Sequence, residues 1–325
     1  MVYTPALERH MQTLDIRLEN VERAARVIDP VFRNSPQFVD EQLCRALGRR
    51  VVVKVETTNP IRSFKGRGSD FLLQHLDPHQ KVICASAGNF GQAIAYAARS
   101  RGMAAEVFVA ADANPLKVER MRSFGAQVIV GGADFDAAKQ AARAKAAQRS
   151  DCIFVEDGEH PAVTEGAGTI AVELLKAGPL DAIVVPLGDG ALITGIALWV
   201  KHHSPNTRIV GVCAAGSPAM LQSWQAGKSL PTETTRTIAD GIDVRVPVPK
   251  AVERMQGLVD DIVLVEDVQM LESMRLAAST LGIILEPAGA AGLAAIRAHA
   301  IAGERLATIL TGGNIHPNLI PELLG

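Results

Sequence analysis

The chain is expected to fold as an α/β protein with parallel sheets, because three features of its sequence agree. Short apolar runs rich in Val and Ile recur along it. Longer segments with helical spacing of apolar residues lie between most of those runs. The composition is 48% apolar but only 4% aromatic, so the core must be aliphatic and alanine-rich. Such a core suits packed helices and buried parallel strands and argues against an all-β protein.

Taken in order, the apolar runs are VVVKVE (51–56), KVICA (81–85), AEVFVA (105–110), AQVIVG (126–131), CIFVE (152–156), AIVVP (182–186), RIVGVC (208–213), IVLV (262–265) and LATIL (306–310). Each reads as a strand buried on both faces, since none alternates polar with apolar. Helical patterns separate them: GQAIAYAARSRG, PLKVERMRSFGA, FDAAKQAARAKAAQRS and MLESMRLAASTLGI. This βαβα alternation implies parallel sheets covered by helices. No repeat, low-complexity tract or Gly/Ser linker is visible, so any division into domains must be made by chain crossings. At roughly 100–200 residues per domain, 325 residues suggest two domains or one domain with an inserted lobe.

Charge and cysteine content exclude several function classes. Lys plus Arg number 33 against 35 Asp plus Glu, a net charge of -2, which provides no electrostatic footprint for nucleic acid or an anionic membrane. Cys44, Cys84, Cys152 and Cys213 are far apart and form no CxxC, so neither a zinc site nor a disulfide framework is expected and a reducing compartment fits. The N-terminal stretch carries charges every few residues without an apolar core, unlike a secretory signal. The apolar run GALITGIALWV at 190–200 is too short to cross a bilayer. A soluble cytoplasmic protein is the expectation.

Ligands of open parallel sheets bind at the carboxyl ends of strands, and five junctions there are unusual: NPIRSFKGRG (59–68), SAGNFGQA (86–93), VPLGDGALITG (185–195), EPAGAAG (286–292) and TGGNI (311–315). In the first, Lys65 falls at a helix start, where the dipole lowers an amine's pKa and can make it a Schiff-base nucleophile. The same segment also reads as a solvated basic helix start containing Arg62, Lys65 and Arg67. SAGNFGQA forms a nest of N–H donors suited to a carboxylate or phosphate, or an ordinary N-cap. VPLGDGALITG invites a dinucleotide reading, but Ile193 stands where the third glycine of GxGxxG belongs, so a monophosphate cradle fits better. EPAGAAG and TGGNI carry small residues that allow a flat ligand to approach closely.

The motif order resembles the fold type II pyridoxal-phosphate enzymes, in particular the threonine/serine dehydratase and serine racemase group. The resemblance runs through nearly the whole chain, from NPIRSFKGRG and SAGNFGQAIAYAA through HPAVTEGAGTIAVELL, the glycine loop, TIADGI and EPAGAAGLAA to TGGN. It implies two open, mostly parallel sheets, with residues 81–158 forming a small mobile lobe inserted into a large cofactor-binding domain of 1–80 and 159–325. Pyridoxal 5'-phosphate is the implied cofactor, with Lys65 as its Schiff-base residue and the catalytic base. Asn89 would meet the cofactor's 3-hydroxyl, and Gly188, Asp189, Gly190, Ala191 and Leu192 would hold its phosphate. Thr311 would face the pyridine nitrogen and Glu286 would line the site. The substrate carboxylate would be received by Ser86 and the backbone of Ala87, Gly88, Asn89 and Phe90. A homodimer is also implied.

Departures from the pattern refine the expectation. Racemases of the group carry serine at the position of Ala87, so elimination is expected over racemisation. The segment GVCAAGSPAM resembles the group's divalent-metal loop, but Cys213 and Ala219 replace the oxygen ligands that Mg²⁺ or Ca²⁺ needs, and no metal is expected. Asp189 stands where glycine is usual, and a turn residue tolerating positive φ is the simplest account. Phe90 and Arg62 either shape the substrate pocket, toward an aromatic β-substituent and a second carboxylate respectively, or pack and point to solvent. Glu165 is read as a helix cap. Only 11 residues follow Asn314, so a C-terminal amino-acid-sensing domain is not expected.

The resulting expectation is a pyridoxal-phosphate ammonia-lyase that eliminates water from a 3-hydroxy amino acid of the threonine or serine type, with phenylserine and 3-hydroxyaspartate among the candidates. The competing readings are a β-replacement enzyme of the cysteine synthase type, a cofactor-binding protein without turnover, and an NAD-binding protein.

Overall fold

The computed structural model describes residues 5–111, 113–132 and 135–324. Ten strands lie among them: β1 (Gln37–Val39), β2 (Arg50–Val55), β3 (Lys81–Ala85), β4 (Ala105–Val109), β5 (Gln127–Val130), β6 (Cys152–Phe154), β7 (Ala182–Pro186), β8 (Arg208–Ala214), β9 (Asp261–Val265) and β10 (Arg305–Leu310). The helices are α1 (Pro5–Thr13), α2 (Leu18–Val27), α3 (Glu41–Leu47), α4 (Lys65–Leu73), α5 (Asn89–Ser100), α6 (Pro115–Ser123), α7 (Phe135–Ala147), α8 (Pro161–Leu174), α9 (Ala191–His203), α10 (Ala219–Ala226), α11 (Pro249–Met255), α12 (Asp267–Leu281), α13 (Pro287–Ala298) and α14 (Pro321–Leu324). None of the described helices is long and apolar enough to cross a membrane.

All nine apolar runs form strands, β2 to β10. They build a six-stranded sheet in the order β1-β2-β10-β7-β8-β9 and a four-stranded sheet in the order β5-β4-β3-β6. Every pairing is parallel except β1 with β2. The short QFV segment of β1 is a strand that periodicity does not reveal. It exists because the edge of β2 offers it a ladder, with Gln37 opposite Lys54 and Val39 opposite Val52.

The period-2 alternation of side chains splits each sheet between two cores. On β7, Ile183 and Val185 pack with Ile170, Ile193 and Ile196 of α8 and α9, while Ala182 and Val184 pack with Met274 and Leu293 of α12 and α13. On the smaller sheet, Val82 and Cys84 face Ile94 of α5, and Ile83 faces Ala138 and Ala142 of α7. Burial on both faces is complete for the central strands β4 and β7. It fails for β5, β6 and β9, which are partly exposed. Each of these three is an edge strand with a single neighbour, so its outer side lacks the cover that inner strands receive.

Candidate active site

The loop from β2 to α4 is tied down before it delivers Lys65. Asn59 accepts from the amides of Ile61 (3.2 Å) and Ser63 (3.3 Å), and its own amide donates to the carbonyls of Glu56 and Ser63. Phe64 N donates to the Thr311 carbonyl at 3.0 Å, and Ser63 bridges to Gly312. These contacts join the lysine loop to the TGGN turn after β10.

Below Lys65, Arg67 is wholly buried. Its guanidinium donates to both Glu56 oxygens at 2.9 Å and to Glu173 at 2.8 and 3.0 Å, and Lys54 Nζ donates to Glu173 Oε2 at 2.5 Å. Burial alone would raise the Glu173 carboxyl, but the hydrogen bonds and charges of Arg67 and Lys54 outweigh it and hold it at about 2. The reading of 62–67 as a solvated basic helix start is thereby overturned. Arg62 is exposed, but Arg67 is locked into a buried ion network and the Lys65 side chain is only 12% exposed, with Nζ donating to Asp157 Oδ2. Arg62 itself holds φ 52, a left-handed conformation uncommon for a non-glycine residue.

Lys65 opens onto a cleft lined by Gly188, Asp189, Gly190, Ala191, Leu192 and Thr311. The loop between β7 and α9 is close-packed: a Cβ on Gly188 would lie 2.7 Å from the Gly241 carbonyl, and Gly190 holds φ 89. Helix α9 then starts at Ala191, so its first amides have no helical acceptor and their dipole favours an anion. Asp189 does not serve as a positive-φ turn residue, since among the described non-glycine residues only Asn34 and Arg62 have positive φ. Burial, then the neighbouring Asp157 charge, pushes the Asp189 carboxyl up to about 7 against the opposing pull of Lys65.

The remaining junctions converge on the same place. Asn89 Nδ2 donates to Glu286 Oε1 at 2.5 Å, and Asn89 Oδ1 accepts from Asn314 Nδ2 at 2.8 Å. Asn89 thus keeps one N–H to offer a ligand. A Cβ on Gly312 would lie 2.1 Å from Glu286 Oε1 and 3.1 Å from Asn89 Nδ2, which only glycine avoids. Thr311, 4% exposed, donates weakly to the Ala288 carbonyl at 3.4 Å. Ser86, Ala87 and Gly88 remain partly exposed at the mouth of α5, where Gly88 N donates to Ser86 Oγ at 3.2 Å.

One open alternative is decided and one expectation is corrected. Phe90 is 3% exposed and packs in the core with Ile94, Val107 and Ile61, so it is core rather than a pocket wall facing solvent. Glu165 does not cap α8, which starts at Pro161. It lies within that helix and accepts from Arg17 N and Asn20 Nδ2, each at 2.9 Å, anchoring the N-terminal segment.

Three residues escape sequence reasoning. Asp157 follows the CIFVE strand in an EDG turn, a signal that was present. Asn314 ends the TGGN motif and could have been paired with Asn89. Lys117 offers no local signal: it is 2% exposed on α6, 2.6 Å from Asp240 and 3.5 Å from Glu286. Burial pushes Glu286 up, and Lys117 opposes the shift. A wider hollow lined by Arg143, Cys152, Glu156 and His160 contains none of the five junctions.

Comparison with known proteins agrees with this geometry. Residues 28–312 match the family described as pyridoxal-phosphate dependent enzyme. The chain is 31% identical over 314 residues to an L-threonine ammonia-lyase of Thermotoga maritima, covering 95% of this chain and 78% of that protein. It is 33% identical over 311 residues to an L-threo-3-hydroxyaspartate ammonia-lyase of a Pseudomonas species, covering 94% and 97%. It spans 55% of the length of a biosynthetic L-threonine dehydratase of Pasteurella multocida, at 34% identity over 85% of this chain. Among solved structures, a threonine deaminase from T.th. superposes with a TM-score of 0.87 at 32% identity, covering 91% of this chain and 98% of that one. Maize serine racemase superposes with a TM-score of 0.88 at 26% identity, covering 95% and 97%. With a lysine, a glycine loop at a helix N-terminus and a small-residue turn assembled in one cleft, the chain belongs to the pyridoxal-phosphate dependent enzyme family.

Proposed function

We propose that this pyridoxal-phosphate-dependent lyase is an ammonia-lyase that removes water from a 3-hydroxy amino acid and releases a 2-oxo acid and ammonia. The observation that carries the reading is the placement of Lys65 in a cleft whose far side is the glycine loop and the N-terminus of α9. The residues present fit the cofactor: the loop leaves no room for a Cβ at 188, the first amides of α9 suit a phosphate, and Asn89 has a spare donor.

When bound, the cofactor draws electrons from the substrate's Cα and so acidifies its proton. In this reading Gly188, Asp189, Gly190, Ala191 and Leu192 hold the phosphate, Asn89 donates to the ring hydroxyl and Glu286 fixes Asn89. Thr311 would offer the ring nitrogen a neutral hydroxyl instead of a carboxylate, which would favour departure of a β-substituent over transamination. Ser86 and the amides of 87–90 bind the substrate carboxylate, and the Lys65 amine takes the Cα proton. Ala87 has only a methyl group, so no donor serves the opposite face and racemisation is disfavoured. The same proposal includes residues 81–158 as a small mobile lobe on a large domain of 1–80 and 159–325, a homodimer and a cytoplasmic location. Contacts between Lys117 and Asp240, and between Asp136 and Arg245, support closure of that lobe over the cleft.

The test supplies the cofactor-loaded protein with L-threonine, L-serine, threo-3-hydroxyaspartate and phenylserine while 2-oxo acid is followed. Release from at least one is expected, and silence on all would overturn the reading. Lys65→Ala should lose both turnover and the visible absorbance of the bound cofactor while keeping its circular dichroism.

A further inference from the structure

Two carboxylates from separate turns face Lys65. Asp157, in the turn after β6, accepts from Lys65 Nζ through Oδ2, its side chain is 11% exposed, and its buried Oδ1 has no hydrogen-bond partner. Asp189 is pressed against that turn through the backbone. Gly158 holds φ 78, and a Cβ there would lie 2.4 Å from the Asp189 carbonyl oxygen and 3.0 Å from Asp189 Cβ. The two acidic side chains therefore leave backbones that are already in contact. The charges facing Asp189 are Asp157, Lys65, Lys139 of α7 and Glu156, and Lys139 is itself paired with Glu156.

Engaging the Lys65 nitrogen in a Schiff base would take from Asp157 the ammonium donor it accepts from in this structure. A phosphate held by the glycine loop would add negative charge beside Asp189 at the same time. Two poorly solvated carboxylates leaving touching backbones would not both stay ionised in such a field, and one would keep a proton. We propose that Asp157 and Asp189 form a proton-sharing pair that acts as the general acid for the departing β-hydroxyl.

The step balances and rests on the dehydratase reading above. The Lys65 amine takes the Cα proton, and the electron pair of that bond forms the Cα–Cβ double bond. The Cβ–O bond breaks with its electrons going to oxygen, which takes the proton of the pair and leaves as water. The Lys65 ammonium then returns its proton to Asp157 across their existing contact, which restores both the amine and the acid.

The test compares a hydroxy amino acid with β-chloro-L-alanine, whose chloride departs without a proton. In Asp189→Asn, measured with saturating cofactor, the ratio of kcat on the hydroxy substrate to kcat on β-chloro-L-alanine should fall about a hundredfold, the usual worth of a general acid. Asp189→Gly, which removes the carboxyl without an amide in its place, should show the same fall in that ratio. A readout independent of turnover is calorimetric titration of the apoprotein with pyridoxal phosphate in buffers of different ionisation enthalpy. At about one pH unit above 7, where the Asp189 carboxyl of the apoprotein is mostly ionised, the native protein should take up about one proton more than either variant, because raising a pKa on binding draws a proton in. Parallel losses on both substrates, an unchanged hydroxy activity, or equal proton uptake would each overturn the pair's role. A native protein that eliminates chloride but is inert on every hydroxy substrate would instead sink the dehydratase reading, and this inference with it.

Discussion

Arg67→Met probes the buried ion network that seats the lysine loop. Arg67 and Glu56 are wholly buried, and the Glu173 side chain is 9% exposed. Methionine fills much of the arginine's volume, so the loss is of charge and hydrogen bonds more than of packing. Two carboxylates would then share the Lys54 ammonium alone. Removing one partner of a buried ion pair costs about 3–5 kcal/mol, because the remaining charge stays desolvated and uncompensated. That is a large part of a typical folding stability of about 5–15 kcal/mol. At about 2 °C per kcal/mol for a chain of this size, the unfolding midpoint of the apoprotein should drop by roughly 6–10 °C. Thermal unfolding followed by circular dichroism measures it. Arg67→Met combined with Glu56→Gln removes the stranded charge and should recover part of the loss. A single variant that loses less than about 1 kcal/mol, or a double variant less stable than the single one, would refute the view that paired charge holds this network together.

Other outcomes follow from the same structure. Gly158→Ala should weaken cofactor binding at least about tenfold, since its Cβ at positive φ must push the glycine loop aside; titration of the visible absorbance band measures this, and an unchanged affinity would show that the EDG turn does not set the phosphate cradle. The Glu173 carboxyl, held at about 2, contributes stability that is present above its unfolded value of about 4.5 and is lost as pH falls toward 2. Urea midpoints across that range should therefore fall less steeply in Glu173→Gln. Asp189 acts with the opposite sign: its carboxyl is pushed up to about 7, so its contribution is complete below about 4 and is lost as pH rises through 7. Asp189→Asn should flatten that limb in the apoprotein. Lys117→Met leaves buried Glu286 without its cation and should lower kcat/KM at least about tenfold, with Lys117→Arg recovering part of it; full activity in the methionine variant would show that Lys117 does not position Asn89 through Glu286.

The strands were legible because parallel sheets covered on both sides demand continuous apolar runs, and VVVKVE or AIVVP can hardly serve otherwise. The edge strand β1 was not legible, because QFV is too short for any period and owes its form to the exposed ladder of β2. Phe90 shows a similar limit. Its place in SAGNFGQA put it beside the expected substrate site, yet helix phase turns its ring into the core below. Glu165 read as a cap by proximity to a helix start, but the helix begins four residues earlier at Pro161, and its carboxylate serves the N-terminal segment instead.

Local chemistry in the sequence was enough to determine the α/β class, the lysine at a helix start and the glycine loop, because turn geometry and strand burial each constrain residues a few positions apart; the family was legible only as a resemblance carried by the order of the motifs. Only the tertiary structure decided which charges meet. Lys65 with Asp157, Arg67 with Glu56 and Glu173, and Lys117 with Asp240 and Glu286 are separated by between 11 and 169 positions in the chain. No local pattern encodes such pairings; they form because burying a charge is costly until a distant partner is folded against it.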